Sequence, residues 1–245
     1  MSACTKVNCL KALTNKLLLS CEHGGNRVPP EYRYLFKNNQ HILDSHRGLD
    51  IGALDVARKL ARSLDTPLYY SQTSRLLVDL NRSLHHRNLF SEFTKQSGKE
   101  IRTAILDEHY HPYRTQVKLK VHDSIASGRG ILHLSIHSFT PELGKQTRDA
   151  DIGLLYDPAR KHEKAFCRHL RTVLQKTSEL RVRLNYPYRG NADGLTTSLR
   201  KSFPAAHYMG IEIEINQTLL TGELKQQKEI TRLLQTGINL SLENK

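Results

Sequence analysis

Three apolar runs along this chain stop at side chains that can bind a metal or carry a proton. Residues 17–20 read Leu-Leu-Leu-Ser and run into Cys21, Glu22 and His23. Residues 131–136 alternate apolar and polar positions and run into His137. Residues 209–213 run into Glu214. Each has the length and composition of a buried strand. Further strands are predicted at 68–70, in the apolar centre of 74–82, at 152–156 and at 182–185. Helical spacing is strongest over about 47–64, where Ile51, Leu54, Val56, Ala57, Leu60, Ala61 and Leu64 fall largely on one face. A long amphipathic helix is predicted over 100–127. Its apolar members are Ile101, Ala104, Ile105, Val117, Leu119, Val121 and Ile125, and Pro112 kinks or restarts it. Helices at about 160–176 and 221–237 follow. Pro29 and Pro30 open a loop or short helix, and 83–98 and 138–150 read as polar loops.

Strands and helices alternate throughout, the pattern of an α/β fold with a mainly parallel sheet. The 245 residues show neither an internal repeat nor a low-complexity linker, so residues 1–245 are expected to form a single domain. In such sheets, sites gather in the crevice beyond the carboxyl ends of the strands. With the three runs side by side, His23, His137 and Glu214 would meet at one edge. Gly24 and Gly25, directly after His23, read as a tight turn using the positive φ that glycine tolerates.

Composition narrows the setting. No apolar run approaches the ~18 residues a membrane span needs, so no membrane partner is expected. Lys6, Lys11 and Lys16 interrupt the N-terminal region, and residues 1–14 read as a mixed leader rather than a secretory signal. The four cysteines, at positions 4, 9, 21 and 167, form no CxxC pair, which suits a reduced, cytoplasmic protein. Cys4 and Cys9 have no neighbours to complete a metal set. The net charge of +13 is spread along the chain without a basic tract. It suits either an enzyme for an anionic substrate or a nucleic-acid binder. No RNP-type or helix-turn-helix pattern is present, so nucleic acid is not the expected partner.

The chemistry follows from the strand ends. His23 and His137 are candidate metal ligands, and zinc with an open catalytic position needs a third. Asp50, Glu22 and His46 are the alternatives. Asp50 stands four residues after His46, so on a helix the two would share a face. His133 reads as a core histidine or a partner behind the site. Glu212 and Glu214 share one side of their strand, away from the isoleucines, and Glu214 is nearer the carboxyl end. A glutamate there can take a proton from a metal-activated water and pass it to a leaving nitrogen. Arg75, Asn81 and Arg82 form a third constellation: arginine forks recognise carboxylates, and a fixed arginine can stabilise a developing oxyanion.

Several of these segments together resemble a known family. Residues 78–82 (Val-Asp-Leu-Asn-Arg), residues 135–139 (Ser-Ile-His-Ser-Phe) and the late strand glutamate are similar to segments of zinc carboxypeptidases and aspartoacylases. The resemblance to N-formylglutamate amidohydrolases is closer. It covers about residues 17–217 through five segments in order: 21–29, 46–53, 74–82, 136–139 and 211–217. The resemblance implies a three-layer, zinc-carboxypeptidase-like α/β fold with a mainly parallel mixed sheet. It also implies a metal-dependent hydrolase of a linear amide, taking a small anionic N-acyl amino acid. His23, Asp50 and His137 would hold zinc or another divalent ion. Arg75 would polarise the scissile carbonyl, Asn81 and Arg82 would hold a carboxylate, and Glu214 would be general base and acid. Arg189 stands in the counterpart of a basic substrate loop. The first segment reads Glu-His-Gly-Gly where the histidine-degrading deformylases have Pro-His-Ser-Gly. The carboxypeptidase His-x-x-Glu pair is absent, since Asn26 stands three residues after His23. A carboxypeptidase-like hydrolase of peptide or peptidoglycan fragments is the runner-up expectation. A basic nucleic-acid-binding protein without catalysis is the rival from another class.

Overall fold

The computed structural model describes residues 16–243. The leader read at 1–14, with Cys4 and Cys9, lies outside the described residues. The strands are β1 (Lys16–Cys21), β2 (Leu68–Tyr70), β3 (Ile131–Phe139), β4 (Glu142–Leu143), β5 (Gln146–Thr147), β6 (Ile152–Leu155), β7 (Val182–Leu184) and β8 (Tyr208–Asn216). The principal helices are α1 (Ala53–Ser63), α2 (Lys99–Ile105), α3 (His111–Ala126), α4 (Lys161–Thr177), α5 (Leu195–Ser202) and α6 (Leu224–Glu243). Six strands make one sheet in the order β2-β1-β3-β8-β6-β7. β2, β1, β3 and β8 are parallel, while β6 pairs antiparallel with β8 and parallel with β7. The expected mainly parallel mixed sheet is therefore present. β4 and β5 form a separate small hairpin.

β3 explains how this sheet carries a site. All nine of its residues are buried. Alternation sends Leu132, Leu134 and Ile136 into a core shared with α1, α4 and α6. The other face carries His133, Ser135 and His137, beneath a second apolar layer built from α3, α5 and residues 76–80. Buried polar groups need partners, and these have them. His133 Nε2 lies 2.7 Å from Ser20 Oγ and its Nδ1 2.8 Å from the Tyr208 hydroxyl. Burial lowers the His133 pKa to about 4, so it is a neutral core histidine away from the cleft.

Several elements differ from the sequence expectation. The helix expected over 47–64 begins only at Ala53, because Gly52 takes a left-handed φ of 77° that no helix can contain. Residues 47–52 are a loop, and Asp50 and His46 share no helical face. Residues 74–82 are turns rather than a strand. Ser74 N–H donates to Arg27 C=O, Arg75 N–H to Gly48 C=O and Asp79 N–H to Leu89 C=O, so loops satisfy this backbone. Leu76, Leu77, Val78 and Leu80 are all buried, which erases the alternation a strand would show. The helix expected over 100–127 is α2 and α3 joined by a π turn, Leu106–Tyr110, just before Pro112. The wider turn accommodates a residue with no N–H to donate. Leu119, expected inward, is 54% exposed. Gly24 and Gly25 do not use positive φ. They permit close approach: a Cβ on Gly25 would stand 2.6 Å from Gln72 C=O and one on Gly24 2.9 Å from Ser71 C=O.

Candidate active site

β1, β3 and β8 lie side by side, so the three runs do end at one edge. The register sets Ser20 beside Ser135 and His137 beside Glu214. His23 follows β1 directly, and its C=O accepts the Asp50 N–H at 2.9 Å. Ser138 Oγ also donates to Ile51 C=O at 2.8 Å. These two bonds tie the loop before α1 onto the strand ends and bring Asp50 to the histidines.

Asp50 Oδ2 lies 2.7 Å from His137 Nδ1 and 3.3 Å from His23 Nδ1. All three residues are buried, and their donor atoms fall within 4.8 Å of one another, so together they could hold a metal ion. The opposite ring nitrogens are engaged by other acids. His23 Nε2 meets Asp79 Oδ1 at 2.7 Å, and His137 Nε2 meets Glu22 Oε2 at 3.0 Å. A carboxylate on each Nε2 would hold the ring proton there once both Nδ1 atoms turned to a metal at the shared point, the usual arrangement behind a metal-bound histidine. Two nitrogens and a carboxylate oxygen are a donor set that zinc accepts.

The electrostatics match. Burial alone would raise the Asp50 carboxyl, but His23 and His137 hold it well below the usual carboxylate range. Burial opposes charge on His137 as well, yet Asp50 and Glu22 outweigh it and raise that imidazole well above its ordinary value. The pocket therefore favours positive charge at the point where the three side chains meet. Glu22 is itself fixed by Tyr113, whose hydroxyl donates to Oε1 at 2.9 Å, and by Ser135 Oγ, which donates to Oε2.

Glu214 projects from β8 next to His137 and is 6% exposed. Its Oε2 is buried and has no hydrogen-bond partner among the described residues. Burial pushes its carboxyl up to about 7, with Asp50 and Glu212 adding to the rise and His137 opposing it. Arg75 donates to Asp50 Oδ1 at 3.3 Å and Asp79 Oδ2 at 2.8 Å, so one guanidinium spans the acids on both sides of His23. These groups open onto a cleft of about 420 Å³, also lined by Asn81, Arg82, Tyr188, Arg189, Asp193 and Glu212. Arg82 donates to Asp193 C=O at 3.1 Å, and Asn81 Oδ1 accepts the Leu195 N–H at 2.6 Å. Arg189 is exposed at the rim.

A family model described as N-formylglutamate amidohydrolase matches residues 15–221. The chain belongs to the N-formylglutamate amidohydrolase family. A solved gene product from Agrobacterium tumefaciens is 28% identical, with a TM-score of 0.80 over 95% of this chain and 92% of that one. An N-formylglutamate amidohydrolase from Ralstonia eutropha is 16% identical, with a TM-score of 0.68 over 95% of this chain and 96% of that one, and so shares the fold. Among curated proteins, none matches.

For this family member the structure gathers His23, Asp50, His137, Arg75, Asn81, Arg82, Arg189 and Glu214 around one cleft. Of the alternatives for a third ligand, His46 is exposed and outside the group, and Glu22 stands behind His137 rather than in front of it. The partnership of Asp79 with His23 was not read from the sequence. The available signal was an acid flanked by Val78 and Leu80, a burial pattern that demands a partner. Among the described residues no helix is long and apolar enough to cross a membrane.

Proposed function

We propose that this protein is a zinc-dependent amidohydrolase that cleaves a small N-formyl or N-acyl amino acid, the whole chain acting as one domain. One observation carries the reading. Two buried histidines present Nδ1 to Asp50, each backed by a carboxylate on Nε2, beside a buried glutamate oxygen with no partner. His23, Asp50 and His137 would hold zinc or another divalent ion, which supplies an acidified water and a polarised carbonyl when bound. Glu214 takes the proton from the attacking water at Oε2 and delivers it to the leaving nitrogen. Arg75 stabilises the carbonyl oxygen as negative charge grows on it. Asn81 and Arg82 receive the substrate carboxylate, and Arg189 guards the mouth with a further cation.

Elemental analysis of the purified protein and hydrolysis of N-formyl and N-acetyl amino acids test this together. The expected result is about one zinc per chain, by the stoichiometry of a single three-residue site, with release of free amino acid. His137→Ala is expected to lose both. A protein that takes up no divalent ion, or a His137→Ala variant with wild-type zinc, would overturn the reading. Glu22→Gln is a finer test. It keeps the shape of the side chain but removes the charge behind His137, and zinc affinity measured against a competing chelator should fall about 10- to 100-fold. Unchanged affinity would show that Glu22 only fills space.

A further inference from the structure

The turn that carries Asn81 and Arg82 is held from behind by side chains that the reaction leaves unexplained. Residues 79–82 have few bonds of their own. Arg82 N–H donates to Asp79 C=O at 3.1 Å, and Asn81 N–H to Asp79 Oδ1 at 2.9 Å. Among the described residues no backbone N–H reaches the carbonyls of Leu80 and Arg82. Leu80 is buried, and a carbonyl in such a place needs a donor. Two side chains supply it. Arg114 Nη1 donates to Leu80 C=O at 2.9 Å and to Arg82 C=O at 3.4 Å, and the Tyr110 hydroxyl donates to Arg82 C=O at 2.7 Å.

The local sequence builds this support. Tyr110 closes the π turn before α3, and Arg114 follows four residues later, so both project towards the same segment. Arg114 Cζ lies 5.1 Å from the centre of the Tyr110 ring, which seats the half-buried guanidinium on a buried aromatic face. Among the described residues Arg114 forms no ion pair with an acid; its partners are the two carbonyls and the ring. A guanidinium with such partners keeps its charge, and that charge favours an anion in the neighbouring cleft. These two carbonyls thus face the helix, while the side chains of Asn81 and Arg82 line the cleft.

We infer that Arg114, seated on Tyr110, is a positioning residue for substrate recognition: by holding the Leu80 and Arg82 carbonyls it sets the Arg82 guanidinium where the substrate carboxylate docks. This rests on the amidohydrolase reading above and deepens it. Arg114 does not line the cleft and acts through Arg82. Without these bonds the turn would keep its apolar anchors, Leu77, Val78 and Leu80, but lose the constraint on the Arg82 carbonyl. The cost therefore falls on binding of the carboxylate and not on chemistry at the amide.

The test measures kcat and KM of the zinc-loaded protein on N-formyl-L-methionine and on N-formyl-L-methioninamide, which lacks the carboxylate. Arg114→Met is expected to raise KM for the acid about tenfold, the lower end for a hydrogen bond to a charged group. Both constants for the amide, and kcat for the acid, should stay within about twofold of wild type. Arg114→Lys, whose ammonium can reach one carbonyl, should recover part of the loss. In an Arg82→Met background Arg114→Met should add nothing, because its effect passes through Arg82. Zinc content reports that each variant is folded. If Arg114→Met does not fold, Tyr110→Phe, which removes one hydroxyl and leaves the ring, carries the same expectation at smaller size. Equal losses on acid and amide, an unchanged KM, or losses that add to those of Arg82→Met would overturn the assignment. A wild-type protein that hydrolyses neither compound would overturn the hydrolase reading instead, and calorimetry with N-formyl-L-methionine then reads the turn directly. Binding weakened by Arg114→Met upholds the assignment, and absent or unchanged binding overturns it.

Discussion

Glu214→Gln is expected to lower kcat of the zinc-loaded protein by about 10²- to 10⁴-fold, the usual worth of a positioned general base, while its zinc content stays at the wild-type level. The substitution keeps the volume and planarity of the side chain, so the packing around it is preserved. Those surroundings are tight: on the neighbouring strand a Cβ at Gly153 would lie 3.3 Å from the Glu214 Cβ and 1.9 Å from the Tyr186 C=O. What glutamine loses is the ability to hold and release a proton at Oε2. Among the described residues that oxygen is the one in the cleft that is buried without a partner, and burial pushes its carboxyl up to about 7, where a proton can be taken and returned near neutrality. Single-turnover measurements with saturating substrate separate this effect from binding. A variant that kept kcat within about tenfold of wild type would assign the proton transfer to another group. A variant that lost zinc would move Glu214 into the ligand set.

Arg200→Met should be the most destabilising single substitution considered, at about 3–5 kcal/mol, because it strands a buried carboxylate. Arg200 is 7% exposed and Glu163 fully buried, with Nε of Arg200 3.1 Å from both Glu163 oxygens. The remaining capacity of both groups is also used. Glu163 accepts from the Gly210 and Asp157 N–H groups, while Arg200 donates to the Gly210 and Gly190 carbonyls. The network thereby ties α4, α5 and β8 to the loop that carries Tyr188 and Arg189. Thermal unfolding should shift down by roughly 10 °C for a chain of this size. The double variant Glu163→Gln, Arg200→Met should recover part of the loss, since no uncompensated charge remains. A single variant as stable as wild type, or a double variant worse than the sum of the singles, would contradict this account.

The parts of this protein legible in its sequence are those in which the signal is local. β1 could be read as a short apolar run, and β3 and β8 because apolar and polar positions alternate within them. The residues at their ends could be read because parallel strands deliver those ends to one crevice. That much places His23, His137 and Glu214 together. The helix start at Ala53, the turns at 74–82 and the short helix α5 were not legible. Each depends on a backbone conformation or hydrogen bond that a distant segment imposes, as when Arg75 N–H bonds to Gly48 C=O. The choice among Asp50, Glu22 and His46 had the same character. All three are plausible ligand types, and they differ only in where the chain returns. The structure brings Asp50 to both Nδ1 atoms, places Glu22 113 residues from its donor Ser135, and places Asp79 56 residues from His23. Hydrophobic periodicity is a property of neighbours along the chain, so the sequence by itself determined β1, β3 and β8 and, in β3 and β8, which face is polar. Satisfying the polar groups that fold into that face is a property of neighbours in space, and only the tertiary structure decided which acid backs which histidine.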